Sequence, residues 1–226
     1  MDLRCGRWED ALAGEICDAL ITDPPYGERV HDGHDAAVDG DHFQRELSYE
    51  AWGRDDVACF VESWSPRTRG WMCAMTSHDL IPYWEESFTA VGRYAFAPLP
   101  CVMRGMSVRR AGDGPSSWSV WLMVARPRTK QAASWGTLPG AYLGVPGHEH
   151  IGGKPEWLMR AIVSDYSRPG DIVCDPCAGG ATTLIAASGL GRHAIGAEMD
   201  PETYAKAQAR IKRGVQHDLF AGATNG

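Results

Sequence analysis

Short apolar runs alternate with amphipathic stretches along the chain. Five of these runs predict buried strands, at residues 17–22, 71–75, 119–125, 172–174 and 193–197. Apolar residues at helical spacing predict helices over 154–167, over 182–188 and from Pro201 onward. Strands that alternate with helices are typical of an α/β domain with a mostly parallel sheet.

The residues at the helix ends support this assignment. Asp200 is expected to cap the last helix, and Pro201 occupies a first-turn position where its missing N–H costs nothing. The core-facing stripe of that helix is predicted to be Tyr204, Ala207 and Ile211. Gly189 is expected to end the preceding helix in a left-handed conformation.

The composition is that of one globular protein. With 226 residues, the chain is expected to form a single domain, residues 1–226. Hydrophobic residues make up 44% and charged residues 23%, which excludes wholesale disorder. Neither a signal-peptide core nor an apolar stretch near the roughly 20 residues that span a bilayer is present. Seven scattered cysteines indicate reduced thiols, so we expect a cytoplasmic protein.

Charge is distributed unevenly along the chain. The net charge of −7, taken alone, argues against a nucleic-acid partner. Residues 28–56 hold nine acids against three arginines, whereas residues 101–135 hold six basic residues against one acid. A basic strip therefore exists in an acidic protein. Residues 27–53 and 135–153 lack a clear period and are predicted to be surface loops.

A glycine-containing turn follows the fourth predicted strand, with the sequence Asp175-Pro176-Cys177-Ala178-Gly179-Gly180-Ala181-Thr182-Thr183. Glycine there lets a ligand approach the backbone closely. Glu198 ends the next strand, at about the distance where nucleotide-binding sheets place an acid on the ribose. Because the turn has neither GxGxxG nor a Walker lysine, an adenosyl ligand without phosphates fits better than a nucleotide. An ordinary strand–turn–helix corner is the alternative.

A proline-rich tetrapeptide, Asp23-Pro24-Pro25-Tyr26, follows the first predicted strand. Two prolines stiffen the backbone and leave carbonyls free to accept hydrogen bonds from a ligand. The Asp23 carboxylate and the Pro24 carbonyl could both accept from an exocyclic amine, and Tyr26 could stack on a flat ring. A proline turn with a packed tyrosine is the alternative.

The tetrapeptide at 23–26 and the glycine turn at 175–183 occur in the same chain, with the tetrapeptide first. About 60 contiguous residues carry the second one: Lys154-Pro155, Pro169-Gly170-Asp171, the turn at 175–183, Ala186-Ala187, Gly191-Arg192, Ile195-Gly196-Ala197-Glu198 and Tyr204. The chain thus resembles the amino-methyltransferases of DNA, which move a methyl group from S-adenosylmethionine (AdoMet) to adenine N6 or cytosine N4. It looks like their permuted, beta class, in which DPPY precedes the cofactor motif. The resemblance implies a Rossmann-like fold with a mixed, mostly parallel seven-stranded sheet and helices on both faces.

The resemblance also implies roles for individual residues. Tyr26 would stack on a flipped base, and Asp23 and Pro24, stiffened by Pro25, would accept hydrogen bonds from its amine. Glu198 would hold the ribose of AdoMet. The remaining cofactor contacts would come from Asp23, Lys154, Asp175, Cys177, Ala178, Gly179, Gly180, Thr182 and Met199. Asp as the first residue of the tetrapeptide implies adenine, with cytosine N4 as the alternative.

The chain departs from the family pattern inside the cofactor motif. Cys177 stands where phenylalanine is usual, and Gly180 and Ala181 replace serine and glycine. These changes are expected to weaken AdoMet binding, and they keep a degenerate, non-catalytic DNA- or AdoMet-binding module as an alternative. An RNA or protein-glutamine methyltransferase is disfavoured, because NPPY is the commoner form there.

The implied partner is double-stranded DNA, methylated at a specific site. Arg104, Arg109 and Arg110 are predicted to lie on a basic hairpin loop that contacts DNA, and Arg29 is a further candidate. Segments 27–56 and 103–150 would share target recognition, with a homodimer and a restriction nuclease partner left open. Cys174-x-x-Cys177 has no second pair at metal spacing. His31-x-x-His34, with Asp32 and Asp35, could bind a metal, but a solvated acidic loop is favoured there, so no metal is expected. A bacterial or phage origin is implied.

Overall fold

A computed structural model describes residues 1–27, 50–105, 117–146 and 153–222, with side chains through residue 214. The chain forms two compact units. The first unit comprises Met1–Thr22 and Gly147–Gly226, and the second comprises Asp23–Pro146.

The first unit contains four parallel strands. They are β1 (Asp2–Cys5), β2 (Ala19–Thr22), β8 (Ile172–Asp175) and β9 (His193–Glu198). Their order is β1-β9-β8-β2, with Cys5 opposite Glu198 and Asp175 opposite Gly196. The carboxyl ends of all four strands therefore meet at one edge, where ligands bind in sheets of this kind.

The helices of the first unit are α1 (Trp8–Ala11), α5 (Glu156–Tyr166), α6 (Thr182–Gly189) and α7 (Pro201–Gly222). The connection β8–α6–β9 steps toward β1, whereas β1–α1–β2 steps the other way across the sheet. Because crossovers between parallel strands are right-handed, the two connections place α1 and α6 on opposite faces. The direction in which the chain steps across the sheet therefore reverses between β8 and β2.

Apolar spacing explains why these helices form. In α5, one face is buried, formed by Leu158, Met159, Ile162, Val163 and Tyr166. Helix α7 begins as the sequence predicts, because Asp200 accepts hydrogen bonds from the backbone N–H and the hydroxyl of Thr203. Ala207 is fully buried on its inner face.

The second unit contains five strands in a mixed arrangement. They are β3 (Met72–Thr76), β4 (Tyr94–Ala95), β5 (Leu99–Met103), β6 (Ser119–Arg126) and β7 (Tyr142–Gly144). The order is β3-β6-β5-β7, and β4 also pairs with β6. Strand β6 runs antiparallel to β3, β4 and β5, whereas β5 and β7 are parallel.

Aromatic packing supports the helices of this unit, which are α2 (Arg54–Trp64), α3 (Ile81–Ala90) and the short α4 (Lys130–Ala133). The rings of Trp52, Phe60 and Trp84 lie 5.3 to 6.4 Å apart. The Trp84 indole N–H also donates to the hydroxyl of Thr76 at the end of β3 (3.1 Å). Half-buried Trp52 therefore packs against two core rings of this unit, one from α2 and one from α3.

The predicted segments are present, with several corrections. The described residues contain nine strands, where the resemblance implied seven and the apolar runs predicted five. The four strands missed by the pattern, β1, β4, β5 and β7, carry too little periodicity to be recognised. The mixed, mostly parallel arrangement is confirmed: the strand pairs of the first unit are parallel, and the antiparallel pairs lie in the second unit. Strand β7 lies within the predicted loop 135–153. Gly189 does not adopt the left-handed conformation; Gly191 (φ 75°) adopts it two residues later.

Gly196 offers a test of the packing between β8, β9 and α6. A Cβ atom there would lie 2.7 Å from the carbonyl oxygen of Asp175 and 3.0 Å from Leu184 Cδ1. Because the first contact is with backbone, G196A should destabilise the protein by about 1–3 kcal/mol in denaturant unfolding. The control is G214A, at an exposed position of α7 with no atom within 4 Å. Equal stabilities of the two variants would contradict the packing described here.

Candidate active site

A buried carboxylate lies between β8 and β2, where the direction of the strand connections reverses. Asp175 ends β8 and is 1% exposed. Its Oδ1 accepts a hydrogen bond from the Thr22 hydroxyl at the end of β2 (2.7 Å) and another from the Cys177 N–H (3.1 Å). These two bonds orient the carboxylate between the adjacent ends of β8 and β2, where a ligand crevice is expected in an open α/β sheet.

The glycine turn after β8 is fastened to the end of β9. The Ala178 N–H donates to the Ala197 carbonyl, and the Gly179 N–H donates to Glu198 Oε2, both at 2.9 Å. Gly179 has a φ of 49°, and no atom lies within 4 Å of a Cβ placed there. The turn thus leaves open space at Gly179, while the N–H groups of Ala178 and Gly179 donate to acceptors within the protein.

Glu198 is the carboxylate at the end of β9. Its Oε1 accepts from the Asp200 N–H (2.8 Å) and its Oε2 from the Gly179 N–H. Burial raises the pKa of Glu198 above its ordinary value of 4.5, and the backbone hydrogen bonds oppose that shift. Because a carboxylate has about four acceptor positions, Glu198 can accept from a further donor, such as a hydroxyl, besides its backbone partners.

An unusual backbone conformation occurs at the end of the turn. Ala181 has a φ of 62°, and it is the only non-glycine residue with a positive φ among those that the structure describes. Such a conformation costs an L-residue about 1–2 kcal/mol. Arg210, on α7, donates from Nη1 to the Gly180 carbonyl (2.9 Å) and to the Thr182 hydroxyl (2.8 Å). No motif or spacing in the sequence marks Arg210 as a site residue.

The proline-rich tetrapeptide lies in the second unit and follows β2 directly in the chain. The Tyr26 hydroxyl donates to Asp23 Oδ1 (2.9 Å), and the Tyr26 carbonyl accepts from the Trp52 N–H (3.1 Å). Pro24 is buried, whereas Asp23, Pro25 and Tyr26 are half-buried. The turn is therefore fixed at the tyrosine, and one oxygen of Asp23 has an internal donor.

A second carboxylate, which the sequence analysis missed, lies against this turn. The Gly27 N–H donates to the Ser77 hydroxyl (3.2 Å), and a Cβ on Gly27 would lie 2.2 Å from Asp79 Oδ2. Asp79 Oδ1 is buried and has no hydrogen-bond partner among the described residues. Its position shortly after β3, comparable to that of Asp23 after β2, is the signal that could have identified it.

The other predicted site residues lie at varied positions. Lys154 is half-buried two residues before α5, Met199 is 52% exposed after β9, and Cys177 is half-buried in the turn. Arg104 is exposed just after β5, in the connection between the antiparallel strands β5 and β6. Arg29, Arg109 and Arg110 lie outside the described residues, as do His31 and His34.

Neither a metal-binding cluster nor a membrane-spanning helix occurs among the described residues. No group of three or more His, Cys, Asp or Glu side chains within those residues is arranged to hold a metal ion. No helix in the same residues is long and apolar enough to cross a membrane.

Comparison with known proteins shows similarity to DNA methylases over part of the chain. Residues 105–209 match the model of the N6/N4 DNA methylase family, a stretch that includes the glycine turn and Glu198 but not Asp23. The chain is 25% identical to the protein YubD of Escherichia coli (strain K12) over 98% of this chain and 92% of that protein.

Solved methyltransferases share the fold. The crystal structure of the M1.HpyAVI–SAM complex superposes with a TM-score of 0.65 at 21% identity, covering 92% of this chain and 98% of that one. The cytosine-N4-specific PvuII DNA methyltransferase gives a TM-score of 0.61 at 14% identity, covering 91% and 84%. The fold is thus that of solved methyltransferases, one of them determined as a SAM complex. Residues 105–209, slightly less than half of the chain, resemble the DNA methylase family that the matched model describes.

The contact between Gly27 and Asp79 can be tested directly. G27A should lower the free energy of unfolding by about 1–3 kcal/mol, because its Cβ overlaps the carboxylate. Shortening the acid in G27A/D79A should recover most of that loss in the same denaturant titration. G140A is the matched control, since nothing lies within 4 Å of a Cβ at Gly140. Additive effects of the two substitutions would argue against the contact.

Proposed function

We propose that the chain methylates the exocyclic N6 of an adenine that is flipped out of double-stranded DNA. The observation that carries this proposal is the fixed turn at Asp23. That residue is covalently next to Thr22, whose hydroxyl binds the buried carboxylate of Asp175. A base inside a duplex cannot present its amine to a buried methyl donor, so the target must leave the stack.

The turn supplies the groups that such an amine needs. The Asp23 carboxylate and the Pro24 carbonyl would accept its two N–H groups, which directs the nitrogen lone pair away from them. The hydrogen bond from Tyr26 to Asp23 holds the carboxylate in one orientation, and the Tyr26 ring would stack on the base. Pro25 keeps the backbone stiff between them. Catalysis then consists mostly of positioning and preorganised electrostatics.

The residues of the first unit fit an adenosyl ligand. Glu198 can accept from a ribose hydroxyl besides its backbone partners, and the space at Gly179 admits a ligand close to the backbone. When bound, AdoMet supplies an electrophilic methyl group on a sulfonium, so no covalent enzyme intermediate is needed. The residues proposed to hold it are Asp23, Lys154, Asp175, Cys177, Ala178, Gly179, Gly180, Thr182, Glu198 and Met199.

DNA contacts are proposed for the basic residues near the β5–β6 connection. Arg104 is exposed there, and Arg109 and Arg110 follow in the chain, with Arg29 just after the Asp23 turn. These arginines would contact phosphates or base edges in a protein whose overall charge is negative. The order of the motifs, with Asp23 before Asp175, supports assignment to the permuted class.

The first experiment is methylation of unmethylated genomic DNA with AdoMet, followed by nucleoside mass spectrometry. We expect N6-methyladenine from the native protein. D23A should lose transfer by roughly 100-fold or more, because one acceptor of the amine is gone. Its AdoMet affinity should stay within a few-fold in calorimetry.

The control for that experiment is D55A, which removes an exposed carboxylate of α2 in the same unit. Retained turnover in D23A would refute its role. N4-methylcytosine would keep the mechanism and change the base. AdoMet binding without a methylated nucleoside would indicate a non-catalytic module.

The raised pKa of Glu198 predicts a pH dependence of AdoMet binding. The ionised carboxylate accepts hydrogen bonds from hydroxyls better than the protonated form does. Affinity should therefore rise as the pH rises through the folded pKa, and its loss on acidification should begin at a higher pH than for an ordinary glutamate. In the absence of ligand, the same shift makes ionisation of Glu198 unfavourable to folding above the ordinary pKa.

The measurement is calorimetric titration of AdoMet between about pH 5 and pH 8. E198Q should bind weakly at every pH in that range, because an amide N–H would face a backbone N–H that now donates to the carboxylate. E202Q, at an exposed position of α7, is the control. An affinity in native protein that does not change with pH would contradict this role.

A further inference from the structure

Ala181 connects the glycine turn to helix α6. Its left-handed conformation (φ 62°, ψ 26°) places it at the N-cap of that helix. Its N–H donates to the Ala178 carbonyl (2.7 Å), and its own carbonyl accepts from the Ile185 N–H (3.0 Å). The path of the turn and the first hydrogen bond of the helix therefore both depend on a conformation that alanine disfavours.

The Arg210 side chain, from a distant part of the sequence, binds the residues on either side of Ala181. Arg210 lies on α7, and its Nη1 donates to the carbonyl of Gly180 and to the hydroxyl of Thr182. These two acceptors are the immediate neighbours of Ala181 in the chain. Thr182 is buried, so this bridge lies partly away from competing water.

The bridge opposes the relaxation that alanine favours. Rotation of Ala181 toward a negative φ would change the direction of the Gly180 carbonyl relative to Thr182. A single guanidinium nitrogen cannot then reach both acceptors, so relaxation costs two hydrogen bonds. The same turn carries the Gly179 N–H that donates to Glu198, so a displaced turn also disturbs the proposed ribose acceptor.

We propose that Arg210 is a positioning residue of the cofactor turn, which holds Ala181 in the left-handed conformation needed for AdoMet binding. The proposal rests on the proposed function in so far as this turn binds AdoMet. It accounts for the departure from glycine at position 181: the conformation that glycine adopts freely is maintained here by a side chain of α7.

The test is a double-mutant cycle between positions 181 and 210. R210M keeps most of the length of the side chain and removes its donors, and it should weaken AdoMet binding by about tenfold in calorimetry. A181G should bind at least as well as the native protein. In A181G/R210M the affinity should return to within about threefold of native, because glycine needs no external support at this φ.

Several readouts separate positioning from a general loss of stability. R210M should raise the KM for AdoMet and leave kcat at saturating AdoMet within about twofold. R210K should recover part of the affinity through a single ammonium donor. R213M, the same substitution at an exposed position of α7, should leave AdoMet binding unchanged.

The cycle remains informative if the proposed function fails. A protein that binds AdoMet but methylates no DNA still tests the proposal through its binding constants. In a protein that binds no AdoMet, the proposal is wrong as stated, and thermal unfolding shows whether A181G and R210M are coupled. Unchanged affinity in R210M, or additive losses in the double variant, would overturn the proposal.

Discussion

The hydrogen bond from the Thr22 hydroxyl to Asp175 is the contact on which the site depends. It joins the ends of β2 and β8, two strands from opposite ends of the chain. The direction of the strand connections reverses between these two strands. A buried carboxylate without such a donor would be costly, and hydrogen bonds to charged groups contribute about 1.5–3 kcal/mol. Because Asp23 follows Thr22, this bond also fixes the residue that precedes the tetrapeptide turn.

From that contact, a series of hydrogen bonds donated by backbone N–H groups extends through the cofactor turn to Glu198. Asp175 accepts from the Cys177 N–H, the Ala178 N–H donates to β9, and the Gly179 N–H donates to Glu198. The two acids are thus held by the same turn, although they end different strands. This arrangement explains why the motif needs its spacing: shifting the turn by one residue would move an amide away from Glu198.

The sequence predicted most of the first unit and less of the second. Strand β8, the turn and Glu198 follow one another locally, so pattern and resemblance were sufficient for them. Strands β4 and β7 have two and three residues and no usable period, and their pairing is set by tertiary packing. Arg210 was missed because only the fold brings it to the cofactor turn. Asp79 follows a predicted strand and could have been selected, but only the fold shows its approach to Gly27.

The substitutions in the cofactor motif are better explained together with their surroundings than residue by residue. Taken alone, alanine at position 181 suggests a weakened site, because the left-handed conformation disfavours it. In the structure the conformation is nevertheless present, and both neighbours of Ala181 are bound by Arg210. A motif departure therefore indicates lost function only when the conformation that the motif encodes is also lost. Here the geometry is kept by a contact with α7, which a motif comparison along the chain cannot detect.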